Sequence, residues 1–148
     1  MSEPKWQSVN YVFINAISHL DFSKISRIVD LDNIEIYADQ LLENVLYHIM
    51  ENVIRHGTGA TEINLRYQEN PDGLMLLIED NGPGISVTEK EKIFEKVYSA
   101  HGCGLFLARE ILSITGISIR ETGMDGSGAR FVIFVPKGAY RFVPKDTA

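Results

Sequence analysis

Several groups of residues in this 148-residue chain have types and spacings suited to chemistry. The first is Asp80-Asn81-Gly82-Pro83-Gly84-Ile85, which closes an apolar run at 73–78. That run reads as a buried strand, bounded on its N-terminal side by Asn70-Pro71-Asp72-Gly73. A carboxylate at the mouth of a buried strand, beside glycine backbone that another molecule can approach closely, suits a flat polar ligand such as a nucleobase. Taken alone, a strand-to-loop turn in which Asp and Gly serve geometry only is the simpler reading.

The second group lies on one helix. His48, Asn52 and His56 recur every four residues, so they form a polar stripe, with Arg55 beside it. Val45 and Ile49 lie close to this stripe in angle, which places it at the border of an apolar face where polar groups need partners. A solvated helix face is the bland alternative, and for Arg55 alone it is the better one. Asn52, an uncharged amide that can ligate a hard cation through its oxygen, fits a magnesium site. The third group is Gly102-Cys103-Gly104-Leu105, at the start of another helix. Glycines there leave unpaired N–H groups at the positive end of the helix dipole, a ready phosphate site. Gly-x-Gly by itself is a weak signal, and its place at a helix start carries more weight.

The elements that must position these residues can be read in turn. Apolar residues at 9, 12, 13, 16, 17 and 20 have helical spacing and predict a helix over 6–20, with His19 as a helix-end histidine near the C-terminal dipole. Segments 25–30 and 33–37 are short and extended, a hairpin or edge strands. Residues 39–56 give the strongest helix signal, with Asp39 as N-cap and Gly57 as the stop. Residues 61–68 alternate, with Ile63, Leu65 and Tyr67 on one side, and form a hairpin with the strand that leads into Asp80. A short helix over 86–94, capped by Thr88, turns Ile93 and Phe94 inward. A helix at 105–115 follows, then strands at 117–121 and 129–136 joined through Gly123, Gly126 and Gly128. In the tail over 137–148, Tyr140, Phe142 and Val143 offer one more edge contact. The expected architecture is α+β: a two-layer sandwich whose mixed, mostly antiparallel sheet is covered on one face by two to three helices.

Composition bounds the possibilities. The length fits a single domain over 1–148 with a sizeable core. A net charge of −6 argues against a general nucleic-acid binder. The single cysteine excludes an internal disulfide and disfavours a cysteine zinc site. No apolar run approaches the roughly 20 residues needed to span a bilayer, so no membrane contact is expected of this domain. The N-terminus lacks a signal-peptide pattern, which favours a cytoplasmic setting, although a parent chain with a membrane anchor elsewhere is compatible with it.

In their order and spacing, the His48/Asn52/Arg55/His56 stripe, Asp80-Asn81-Gly82-Pro83-Gly84, Phe94, Gly102-Cys103-Gly104 and Gly126-Ser127-Gly128 resemble the ATP-binding catalytic domain of sensor histidine kinases. That family includes the gyrase, Hsp90 and MutL ATPase domains, and the resemblance runs over 31–136. It implies a Bergerat-type fold with ATP and Mg2+ as cofactors. By resemblance, Asn52 matches the asparagine that ligates magnesium, His48 the preceding position of that motif, and Arg55 and His56 the groups near the phosphates. Asp80 matches the aspartate that accepts a hydrogen bond from the adenine amino group, with Gly82, Gly84, Ile85 and Ala129 about the base. Phe94 matches the phenylalanine motif before the lid, and Gly102, Cys103, Gly104 and Leu105 the segment where the lid meets its helix.

ATP-hydrolysing members resemble one another in carrying a glutamate four residues before the magnesium asparagine, a position that here is His48. Glu51 lies about 100° away from Asn52 around the helix. That disfavours water activation and suits phosphoryl transfer to a protein acceptor, which needs positioning and charge neutralisation more than acid-base work. Two departures stand out: only seven residues separate Phe94 from Gly102, and Cys103 replaces a usual leucine. Nothing in the chain resembles the dimerising helical domain that carries the phosphoacceptor histidine. The resemblance therefore implies a domain that is not self-sufficient for autophosphorylation, with 1–20 near the junction to that partner and a response regulator downstream. Two alternatives share the fold: an anti-sigma-factor-type serine kinase, and a degenerate nucleotide-binding or scaffolding module.

Overall fold

The computed structural model describes residues 3–56, 59–95, 104–124 and 126–144, with the side chains of Arg55 and His56 outside it. The main sheet has five strands in the order β2 (Ser26–Asp30), β4 (Glu62–Asn70), β5 (Gly73–Asp80), β7 (Arg130–Pro136) and β6 (Ser118–Glu121). All its neighbours are antiparallel except β2, which runs parallel to β4. Alternation along β5 sends Leu74, Leu76 and Ile78 to one face, where they join Ile63, Leu65, Phe131, Ile133 and Val135 in the core. On that face pack α1 (Val9–Ile17), α2 (Leu42–His56) and α3 (Gly104–Ser113). The α+β two-layer sandwich read from the sequence is therefore the architecture found.

Helix α2 forms as its pattern dictates. Leu42, Val45, Leu46, Ile49, Met50 and Val53 are all at most 2% exposed, a continuous apolar arc. Asp39 caps the entry to α2. Its Oδ1 accepts from Leu41 N at 2.9 Å and its carbonyl from Leu42 N at 3.0 Å, so it closes the turn that leads in.

Other expectations need correction. Trp6 to Ser8 are not helical: they belong to β1 (Lys5–Ser8), and Ser8 is the true N-cap of α1, accepting from Tyr11 N at 3.2 Å. Extended segments 25–30 and 33–37 do not make a hairpin. β2 is an edge of the main sheet, whereas β3 (Ile34–Ala38) sits in a second sheet of three strands, β1-β3-β8. In it, β8 (Tyr140–Phe142) supplies the edge contact expected of the tail. Segment 86–94 is a series of turns and a single 3-10 turn at Lys92–Phe94. Thr88 caps nothing there and instead meets the Ser86 hydroxyl at 3.2 Å. With Val87 exposed and only Ile93 and Phe94 buried, too little packing offsets helix nucleation over so short a stretch.

The two sheets meet along a seam of side chains. Tyr140 donates to Glu69 of β4 at 2.6 Å, Tyr67 of β4 donates to Asp32, and the Tyr67 and Phe142 rings lie 5.7 Å apart. On the outer side of the small sheet, Arg141 stacks over Trp6 at 4.1 Å and pairs with Glu35 at 2.6 Å.

Candidate functional site

Asp80 is the last residue of the central strand and shares the parity of Leu76 and Ile78, so its side chain leaves the helix-covered face. The backbone there is locked to β7 in both directions. Asp80 N donates to Ala129 O at 3.0 Å, and Asp80 Oδ1 accepts from Ala129 N at 3.2 Å and from Gly82 N at 2.8 Å. Two N–H groups thus hold one carboxylate oxygen, and among the described residues nothing bonds the other. A carboxylate fixed in this way offers a directed acceptor to an amino group.

Glycine makes this junction possible. A Cβ on Gly128 (φ +116°) would sit 2.0 Å from the Asp80 carbonyl oxygen, and one on Gly84 (φ +79°) would sit 2.6 Å from that of Met124. Gly126 N donates to Pro83 O at 2.6 Å, fastening the tip of the β6–β7 connection to the loop that follows Asp80. From the other side Asn81 Oδ1 accepts from Thr61 N at 2.8 Å and Glu62 N at 3.0 Å, tying the loop to the start of β4 just beyond α2. Ile85 packs against the core, and Gly82 and Ala129 are buried. A cavity of about 200 Å³ adjoins the same junction, lined by Asp80, Gly128 and Ala129 together with Glu79 and Arg130. Of these, Glu79 and Arg130 belong to the uncovered face of the sheet.

A second cluster is built by α2 and α3. His48 and Asn52 stand one turn apart on α2, both half-buried. His48 lies directly against the first residue of α3: a Cβ on Gly104 would be 2.7 Å from its Nδ1. Glu51 is engaged by the Tyr47 hydroxyl at 3.1 Å, off the His48–Asn52 line. Leu105 is buried in the core cluster.

Phe94 is 2% exposed and packs edge-on against Phe131 at 6.5 Å, with the Arg109 guanidinium 4.1 Å over its ring. Its place is therefore in the packing between the 3-10 turn, β7 and α3. The side chains of Arg55 and His56, together with Gly102 and Cys103, fall outside the described residues. Among the described residues no group of three or more His, Cys, Asp or Glu side chains is arranged to hold a metal. No helix among them is long and apolar enough to cross a membrane.

Sequence reasoning passed over three residues that shape the site, Lys90, Arg109 and Glu121, and gave Asn81 of its first motif no task. For Glu121 a signal existed. It shares the parity of Ile117 and Ile119, so alternation alone puts a carboxylate among core positions, where it must have partners.

Residues 38–139 match the family described as histidine kinase-, DNA gyrase B-, and HSP90-like ATPase. Among curated proteins, the alginate biosynthesis sensor protein KinB of Pseudomonas aeruginosa is 32% identical over 101 residues, 64% of this chain and 17% of its own length. The signal transduction histidine-protein kinase AtoS of Escherichia coli (strain K12) is 31% identical over 122 residues, 77% of this chain and 20% of its own length. The chain thus spans about a fifth of the length of these relatives. Of solved structures, the mycobacterial sensor histidine kinase MprB superposes with a TM-score of 0.78 at 19% identity, covering 90% of this chain and 97% of that one. The catalytic domain of histidine kinase ThkA superposes with a TM-score of 0.76 at 20% identity, covering 91% of this chain and 96% of that one. These two likenesses concern the fold.

Proposed function

The chain belongs to the histidine kinase-, DNA gyrase B-, and HSP90-like ATPase family, and from that premise we propose that it holds Mg-ATP for phosphoryl transfer to a histidine on a separate helical domain. The observation that carries this reading is the Asp80 carboxylate, with one oxygen fixed by Gly82 N and Ala129 N and the other left for a ligand. That free acceptor fits an adenine amino group and offers a guanine carbonyl only repulsion.

Each residue then has a task. Asp80 accepts from the exocyclic amino group, while Ile85 and Ala129 supply apolar surface to the ring and Gly82 and Gly84 let backbone approach it. Asn52 would give its amide oxygen to the magnesium ion, and Arg55 and His56 would neutralise charge at the phosphate end. Gly104, with Gly102 and Cys103 before it, would present backbone N–H groups to phosphate oxygens. ATP supplies the transferable phosphoryl group. His48 holds the place where a carboxylate would activate water, and Glu51 is tied to Tyr47, so the site favours transfer over hydrolysis. The acceptor would be a helical dimerisation and phosphoacceptor domain, with a response regulator as the next carrier.

Calorimetry with ATP, with and without magnesium, tests the binding step. ATP should bind more tightly with the ion, and Asn52→Ala should abolish the magnesium-dependent gain while leaving metal-free binding in place. An unchanged magnesium dependence in Asn52→Ala would remove Asn52 from the metal. No binding at millimolar ATP would leave only a scaffold role. Incubation with an isolated helical acceptor domain should yield an acid-labile phosphohistidine, whereas an acid-stable phosphoester would point to a serine kinase.

A further inference from the structure

We propose that Glu121 and Lys90 are positioning residues for the base: an ion pair, its carboxylate fully buried, that sets where Asp80 and the loop around it stand. The inference rests on the adenine-site reading above and extends it to two residues that touch no ligand.

The Glu121 side chain has 0% exposure, at the end of β6 and on the helix-covered face. Its Oε2 accepts from Gly123 N and Arg130 N, both at 2.9 Å, and its Oε1 accepts from Lys90 Nζ. Lys90 Nζ also donates to Gly123 O at 2.6 Å, and Thr122 N to Arg130 O at 2.8 Å. One carboxylate therefore draws the two stems of the β6–β7 connection together. The tip of that connection carries Gly126 N on Pro83 O, and Ala129, beside the Arg130 stem, carries its N–H on Asp80 Oδ1.

The consequence is a closed mechanical circuit. The base loop leaves the β6–β7 connection at Asp80 and Pro83 and is fastened to it again at Lys90. Pinned twice to one neighbour, the segment has little freedom to shift the carboxylate. Stability alone does not account for the choice. Burying a charge is costly, and apolar side chains of similar shape commonly hold a fold as well as an ion pair does. What the pair adds is geometry: three N–H donors and one carboxylate admit a narrow set of loop arrangements, whereas apolar contacts admit many.

The test compares wild type with Lys90→Met, Glu121→Gln and the double variant, which removes the charge yet keeps the shape. ATP and GTP affinities are measured by calorimetry, and stability by urea denaturation. Ile36→Val, in the small sheet, serves as a variant destabilised away from the site. Loss of a charged hydrogen bond from the circuit should raise the ATP Kd about tenfold or more and lower the ATP-over-GTP preference in all three variants. The double variant should regain much of the stability of wild type and keep the binding defect, and Ile36→Val should leave the preference unchanged.

Amide exchange gives an independent readout: Ala129 N–H should exchange faster in Lys90→Met while Ile78 N–H, within β5, does not. Wild-type binding with an unaltered ATP-over-GTP preference in the variants would overturn the inference alone. A wild-type chain that binds neither nucleotide would overturn the adenine reading, and this inference with it.

Discussion

The two ends of the candidate site are closed by different means. At the Asp80 end, proposed to hold the base, backbone meets backbone: Gly128 lies under the Asp80 carbonyl, Gly84 beside that of Met124, and hydrogen bonds run between main chains. At the end where α2 meets α3, backbone meets a side chain, since Gly104 rests on the His48 ring. Main chain held in a sheet cannot yield without disturbing its neighbours, whereas an imidazole can turn about χ1 and χ2. The base end should therefore be the stiffer and less forgiving of the two.

The strongest way to break that comparison is Gly128→Ala. The new Cβ meets carbonyl oxygen at 2.0 Å in a left-handed conformation, so strain and overpacking combine. A loss of about 3–5 kcal/mol in urea denaturation is expected, together with loss of nucleotide binding. A loss below about 1 kcal/mol would show the junction to be soft.

Asp80→Asn comes next. An amide in place of the carboxylate should weaken ATP binding by about 1.5–3 kcal/mol in calorimetry, with little change in fold stability. Affinity within a factor of about two of wild type would take Asp80 out of base recognition.

Gly104→Ala should cost less still. Its Cβ would displace His48, but the ring can move and alanine favours a helix, so stability should stay within about 1 kcal/mol of wild type. In the His48→Ala background the same change should become stabilising, and a double-mutant cycle reads the difference. Additive effects would mean that His48 and Gly104 do not press on each other.

The smallest effect lies at the seam between the sheets and should leave both ends of the site untouched. The Tyr67 hydroxyl donates to Asp32, which holds its pKa above the usual 10.0. The protonated phenol is favoured in the folded state, so the contribution is complete below about pH 10 and disappears as the pH climbs through the raised value. Absorbance titration at alkaline pH should show Asp32→Asn bringing part of the tyrosine ionisation to lower pH. An unshifted curve would discount the Tyr67–Asp32 bond.

Much of this molecule was legible because its signals are local. The period of α2, the alternation of β4, β5 and β7, and the carboxylate closing β5 all follow from neighbouring residues. What was missed depends on distant partners. Trp6 to Ser8 form a strand only because Tyr37 and Ile36 lie alongside, and β3 leaves the main sheet because Tyr140 and Phe142 arrive from the other end of the chain. The apolar spacing that predicts a helix from position 6 runs through Val9 without a break, and only the capping role of Ser8 separates strand from helix. In the site, Asp80, Gly82, Gly84, Ile85 and Ala129 converge on one junction and His48 with Gly104 on another. Phe94 belongs to packing between Phe131 and Arg109. Lys90 and Glu121 find each other across 31 positions of chain, a distance over which no periodicity speaks.

Asp80 ends the strand with two neighbours on each side of it in the main sheet. A backbone change there would propagate through β4 and β7 together, so this position has little room to drift. On the proposed reading, any change over evolutionary time in which ring the site accepts would come from side chains, that of Asp80 and those bordering it at 85 and 129. The strand mouth itself would stay fixed. The selectivity proposed for this site and the permanence of the fold would thus be kept by different atoms of the same residue, the side chain and the backbone of Asp80.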